Sequence, residues 1–232
     1  MPRCPNRPGL HPTLAPCLLK SLAFGTLALA CASASAQLIR PDSATSPTQF
    51  NSRYDIGNAI DGSGMPVGFT LSDSHAAYAN VENHWTTASG AIAAGNAWAV
   101  FNFNADQELG QFHLWNHQSS PGHASNATYA VLQFDLELRD AGGAVLLRLD
   151  DVAAVGGVDN ATAQTFEFAA TSGVRSVYFN IDRNGSVSGT SSYTGLAEVA
   201  FGSPIPEPGT YALMLAGLLA VTTAARRRQN PR

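Results

Sequence analysis

The sequence is poor in charge, and its positive charge is concentrated at the two ends. Of 232 residues, 13 % are Asp, Glu, Lys or Arg. The one lysine is Lys20, and Arg3, Arg7, Arg226, Arg227, Arg228 and Arg232 are also terminal. Between Gln37 and Pro204 there are six Arg, no Lys and sixteen Asp or Glu, a net charge of −10. Such a body argues against nucleic acid as a partner, because phosphate contacts need Lys and Arg. Cysteine is also scarce. Cys4, Cys17 and Cys31 all precede residue 37, so removal of that segment leaves no disulfide, no thiol nucleophile and no thiolate metal site. The body lacks any long stretch of helical period, any G-x-S-x-G and any phosphate loop. Apolar residues at 45 % suffice for one core, and 21 Gly with 13 Pro suit a chain of many turns.

The ends read as addresses. Arg3, Arg7 and Lys20 precede an apolar stretch, Leu22 to Ala32, and then Ala34-Ser35-Ala36 offers small side chains to a signal peptidase. Residues 1–36 are therefore expected to be a signal peptide, cut before Gln37. Two readings compete with this. One is a retained anchor, for which the apolar stretch is short. The other is a lipoprotein cut before Cys31, for which "ALAC" lacks a large aliphatic residue three places ahead. At the other end, residues 209–225 are apolar or small, long enough for a minimal membrane span, and Arg226, Arg227 and Arg228 would stay on the cytoplasmic side. Pro206-Glu207-Pro208 stops helix and sheet alike, so it is expected to be an extended peptide just outside the membrane.

The body, residues 37–203, reads as antiparallel β. In "VLQFDLELRD", Leu132, Phe134, Leu136 and Leu138 alternate with polar residues, the period of a half-buried strand. Ala141-Gly142-Gly143 is a turn, and "AVLLRLD" returns as its hairpin partner. "SVYFNID" repeats the alternation with Val177, Phe179 and Ile181 inward. "AVFNF", "QFHLWNH", "QTFEF" and "LAEVAF" read as four further strands, which suggests a β-sandwich. In "LAEVAF", Ala197, Val199 and Phe201 point one way, to the core face, and Glu198 points away from it.

Chemistry is hard to find in this pattern. His113 and His117 have a spacing that binds zinc on a helix, but on a strand they stand about 13 Å apart, so they read as surface or loop-flanking histidines. His75, His84 and His123 are scattered. No catalytic pair is marked among the carboxylates, although a glycosidase's two carboxylates need not be close in sequence. The body is expected to be non-enzymatic.

Two resemblances add to this reading. "PEPGTYALMLAGLLAVTTAARRR" resembles the PEP-CTERM sorting signal of Gram-negative bacteria, also called the ice-binding protein C-terminal domain. It carries the Pro206-Glu207-Pro208 triplet, the short span and Arg226, Arg227 and Arg228. The resemblance implies processing by an exosortase-type enzyme, transient anchoring through the span, and delivery to the cell surface or an extracellular polysaccharide matrix. "YDIGNAIDG", "HWTT", "AWAVFNF" and "TGLAEVAF" are similar in order and spacing to the discoidin, or coagulation-factor type C, family. That family implies a galactose-binding-like, jelly-roll antiparallel sandwich and carbohydrate as a ligand. On this resemblance Trp85 and His117 are the candidate ligand-binding residues, with His117 standing where the family commonly has Arg. In such a sandwich the first and last segments lie side by side. Asp61, Glu198 and Asn83, the last where the family often has Thr, then form a candidate site for a structural calcium ion. The alternative is that Asp61 caps its own turn and Glu198 is solvated. The expectation is an all-β jelly-roll-like sandwich between an N-terminal signal helix and a C-terminal transmembrane helix. Its function would be a carbohydrate-binding surface module, or else a structural matrix protein without a discrete ligand, or an uncharacterised hydrolase.

Overall fold

The computed structural model describes residues 38–76, 83–117, 128–156, 162–190, 192–204, 214–219 and 221–222. The expected signal segment 1–36, Gln37, the Pro206-Glu207-Pro208 triplet and Arg226, Arg227 and Arg228 lie outside them. Residues 214–219 and 221–222 are helical. No helix among the described residues is long and apolar enough to cross a membrane, and most of the expected span 209–225 falls outside them.

The body is all β apart from two short 3₁₀ turns, Ser52–Tyr54 and Ile56–Ala59. Its strands are β1 (Leu38–Ile39), β2 (Ser43–Thr45), β3 (Trp85–Thr86), β4 (Trp98–Asn116), β5 (Val131–Arg139), β6 (Val145–Ala153), β7 (Gln164–Asn184) and β8 (Gly195–Gly202). They join antiparallel in the order β1-β8-β4-β7-β5-β6, with β2 on β4 and β3 on β8. The β5–β6 hairpin forms as expected, and the Asp140 carboxylate accepts the N–H of Gly142 (2.8 Å) and Ala144 (2.9 Å) across the turn.

Four expected strands prove to be two. "AVFNF" and "QFHLWNH" are both β4, and "QTFEF" and "SVYFNID" are both β7. The polar residues between them look like turns. Instead the pairing of β4 with β7 continues through register shifts between Asn102 and Gln111, and β7 passes Gly173 at φ 78°. Bulges bend a strand sharply without ending it. The first half of β4 therefore pairs with β2 and with residues 176–180 of β7, and the second half with β8 and residues 164–174 of β7. One sheet folds over on itself into two layers, which meet at Phe112. Its ring lies 5.4–5.7 Å from those of Phe134, Phe179 and Phe201.

All eight residues of β8 are buried. Leu196, Val199 and Phe201 enter the main core. Ala197, expected on that face, does not. Trp115 pairs with Glu198 and Asn116 with Leu196, so Ala197 is the bulged residue and turns to the outer face. There it packs with Trp115 and Ala200 under Met65, Phe69 and Leu71 of the loop that follows the second 3₁₀ turn.

Candidate functional site

A cleft of about 190 Å³ opens at the end of the sandwich where β4 finishes and β8 begins. It is lined by Phe50, Tyr54, His84, Thr86, His117, Tyr129 and Tyr193. Six of these are rings, and they close a circuit: Phe50 to Tyr54, His84, His117, Tyr129, Tyr193 and back to Phe50. Every step is edge-to-face, with centroids 5.0–5.5 Å apart and planes at 68–88°. Aromatic pairs favour this arrangement, at about 0.5–1.5 kcal/mol each beyond the area they bury.

The backbone that carries the rings is fastened from behind. Phe50 N–H donates to Thr86 O (2.8 Å) and Trp85 Nε1–H to Thr48 O (3.2 Å). Asn184 Nδ2 donates to Tyr193 O (2.9 Å), and Thr194 Oγ1–H to Tyr129 O (3.0 Å). At the end of β4 the buried Asn116 amide donates to Val131 O and Val155 O, and its oxygen accepts from the N–H of His117 and Val131. A buried amide so satisfied locks one geometry.

His84 is a neutral part of the wall. His84 Nδ1 donates to the Asn83 side-chain oxygen at 2.9 Å, which leaves Nε2 as an acceptor. Burial, then the neighbouring His117 and His75, lowers the His84 pKa to about 2. His117 Nε2 meets Thr86 Oγ1 at 3.3 Å. His75 is pushed down by burial and spans the carbonyls of Ala76 and Ser63, each at 2.9 Å, within the loop before the cleft.

The expected site residues divide. His117 lines the cleft, whereas Trp85 is fully buried and offers no face to a ligand. Its contribution is to hold Thr48, two residues before Phe50. His113 and His117, expected at the surface or beside loops, are both buried. Phe50, Tyr54, His84, Thr86, Tyr129 and Tyr193 were not singled out as ligand contacts. They sit in loops, a 3₁₀ turn and a two-residue strand, without the periodicity that marks a face.

Of the candidate calcium ligands, Glu198 and Asp61 come together and Asn83 faces His84. Asp61 Oδ1 accepts the N–H of Ser63 at 2.7 Å, so Asp61 does cap its own turn. Glu198 points away from the main core as expected, but it is fully buried rather than solvated. Burial, opposed by Arg40 and reinforced by Asp61, pushes its pKa up to about 8. Its Oε2 accepts the Gly62 N–H at 3.2 Å. Oε1 accepts no hydrogen bond among the described residues, and Arg40 Nη2 stands 3.6 Å from it. The same Nη2 donates to Ile60 O at 2.9 Å. Carboxylate, carbonyl and a second carboxylate nearby form the oxygen set that a hard cation takes. Among the described residues no group of three or more His, Cys, Asp or Glu could hold a metal ion, so such an ion would need backbone carbonyls as well.

Against known proteins, residues 204–228 match the PEP-CTERM protein-sorting motif. No curated protein matches the sequence. Solved structures similar to the body include a Streptococcus pneumoniae fucose binding module, with 12% identity, 73% of this chain and 96% of that one, and a TM-score of 0.48. The lectin domain of lectinolysin complexed with Lewis B antigen is similar at 15% identity over 71% of this chain and 94% of that one, TM-score 0.47. The F5/8 type C domain of a Bacteroides fragilis protein is similar at 16% identity over 71% and 92%, TM-score 0.47. The chain thus carries a PEP-CTERM sorting motif behind an antiparallel β body whose structural neighbours are discoidin-type and carbohydrate-binding domains.

Proposed function

We propose that the protein is an exported surface module that binds a neutral carbohydrate in the six-ring cleft. The observation that carries this reading is the lining itself. Apolar ring edges alternate with the hydroxyls of three tyrosines and Thr86 and with two imidazoles, of which His84 is held uncharged by burial. Among the described residues that line it there is no acid, lysine or arginine. A sugar ring presents the matching surface, C–H groups flanked by hydroxyls, and aromatic walls with a few fixed polar groups are how proteins hold such ligands. The volume is below the roughly 300–1,000 Å³ of pockets for drug-sized ligands, so it suits one ring at a chain end or branch.

The placement of the cleft fits display. Tyr193 and Thr194 lead into β8, and Gly202 ends it, about 23 Å away at the rise of a strand. Leu38 pairs with Gly202 there, and Pro204 packs so closely on Gly110 that a Cβ on that glycine would lie 2.7 Å from it. Both ends of the body therefore leave from the pole opposite the cleft.

A glycan array probed with the full chain in detergent tests the reading. Retention of neutral glycans is expected, and Tyr129→Ala is expected to weaken it at least tenfold, as loss of about 1.4 kcal/mol does. An array without retention, or an unaffected Tyr129→Ala variant, would overturn it.

Sorting is a separate part of the proposal. Pro206-Glu207-Pro208 is the segment that an exosortase-type enzyme would recognise, with the span removed afterwards and the body released to the surface or matrix. Glu207→Ala is expected to leave full-length protein in the inner membrane, as fractionation and intact mass would show. A variant of parental mass and location would reduce the triplet to a helix-breaking linker. Calcium at Asp61 and Glu198 belongs to the proposal as a structural ion, on terms set by Arg40.

A further inference from the structure

We infer that Arg40 is a tethered cation occupying the site between Glu198 and the Ile60 carbonyl, and that a divalent ion enters only when this side chain swings out. Three observations fix the guanidinium there. Nη2 donates to Ile60 O at 2.9 Å and faces Glu198 Oε1 at 3.6 Å. Gly62, at φ 75°, leaves it no spare room, since a Cβ on that residue would lie 2.6 Å from Nη2. The guanidinium carbon lies 5.1 Å from the centroid of Phe69, whose ring meets Trp115 edge-on at 5.4 Å. Arg40 thus bridges the strand that opens the sandwich, the loop after the second 3₁₀ turn and the strand that closes it.

Mutual exclusion follows from size and charge. Calcium binds oxygens at 2.3–2.6 Å. An ion on both Ile60 O and Glu198 Oε1 would overlap Nη2 and repel it. Departure of the arginine is open sterically, because its side chain is 39% exposed while Glu198 is fully buried. Glu198 Oε1, buried and accepting no hydrogen bond among the described residues, is the atom that gains most from an ion at bonding distance. A site closed about nine times in ten binds its ion tenfold more weakly than an open one.

The test uses the full chain in detergent, with thermal unfolding followed by tryptophan fluorescence and calcium chloride titrated after EDTA treatment. At pH 9, where Glu198 is ionised, Arg40→Gln is expected to melt several degrees below the parent in EDTA, because it strips a buried carboxylate of its counter-charge. Calcium should then restore it, with a midpoint at least tenfold below that of the parent. Arg40→Gln with Glu198→Gln should show no calcium response. Equal calcium midpoints in parent and Arg40→Gln would overturn the inference. So would an Arg40→Gln variant without a calcium response, or one that stays unfolded at every calcium concentration, since the ion would have failed to replace the guanidinium.

Discussion

Phe112→Ala is expected to cost about 3–5 kcal/mol of stability, the range for removing a buried Phe. For a domain of this length that is on the order of 10 °C in melting temperature. The size of the effect follows from where Phe112 stands. It is fully buried in the second half of β4, and it touches Phe134 of β5, Phe166 and Phe179 of β7, and Phe201 of β8. These strands come from both layers, so the cavity left by Ala would lie between layers and could not collapse by moving one strand. Phe112→Leu keeps most of the volume and loses the ring pairs, each about 0.5–1.5 kcal/mol, and should cost clearly less. Chemical unfolding followed by tryptophan fluorescence measures both. A cost under about 1 kcal/mol for the Ala variant would mean that the layers do not meet at this ring.

The sequence signals this core better than it signals the cleft. Phe134, Leu136 and Leu138 and then Val177, Phe179 and Ile181 alternate with polar residues, and the structure buries all six; Leu132, expected on the same face, is only half-buried, because register shifts against β7 around Gln133 put Val131 in the core instead. Period two is visible because one face is buried and the other is not. The same logic fails for β8, where both faces are covered, and for the bends of β4 and β7, where bulges keep strands paired through polar residues. Glu198 shows where local pattern ends. Its direction follows from Val199 and Phe201, but its burial goes with Gly62 and Arg40, which meet its carboxyl from a loop with no period at all and from the residue after β1. The cleft depends on loops throughout. Phe50 and Tyr54 precede β3, Tyr129 precedes β5 and Tyr193 precedes β8, so only the closed sandwich brings them together. Trp85 carries the resemblance to the discoidin family and His117 departs from it, yet the first is a core residue and the second a cleft residue. A motif fixes position in a fold more firmly than it fixes exposure.

Folding stability is expected to peak near pH 6.5, with opposite limbs owned by different residues. His84 and His113 are buried, and burial brings their pKa values to about 2 and about 4. The unfolded chain protonates both near 6.5. Their contribution is therefore fully present above about 6.5 and is lost as pH falls, for His113 until about 4 and for His84 until about 2. Each unmatched proton is worth about 1.36 kcal/mol per pH unit, so together they remove about 4 kcal/mol between pH 7.5 and 5. Glu198 works the other way. Its pKa rises from 4.5 to about 8, so its contribution is fully present below 4.5 and is lost as pH climbs through 8. In the parent the two trends nearly offset each other between pH 5 and 8, which leaves a shallow maximum. Glu198→Gln holds the neutral shape and abolishes the alkaline limb. In EDTA, that variant should show a flat profile from pH 7 to 9 and the full acid loss below 6.5. His113→Gln, which leaves Thr165 a side-chain partner in place of the imidazole Nδ1 at 3.0 Å, should roughly halve the acid slope. Unfolding free energies from pH 4.5 to 9 decide the matter. A Glu198→Gln variant that still loses stability between pH 7 and 9 would show that another group owns that limb.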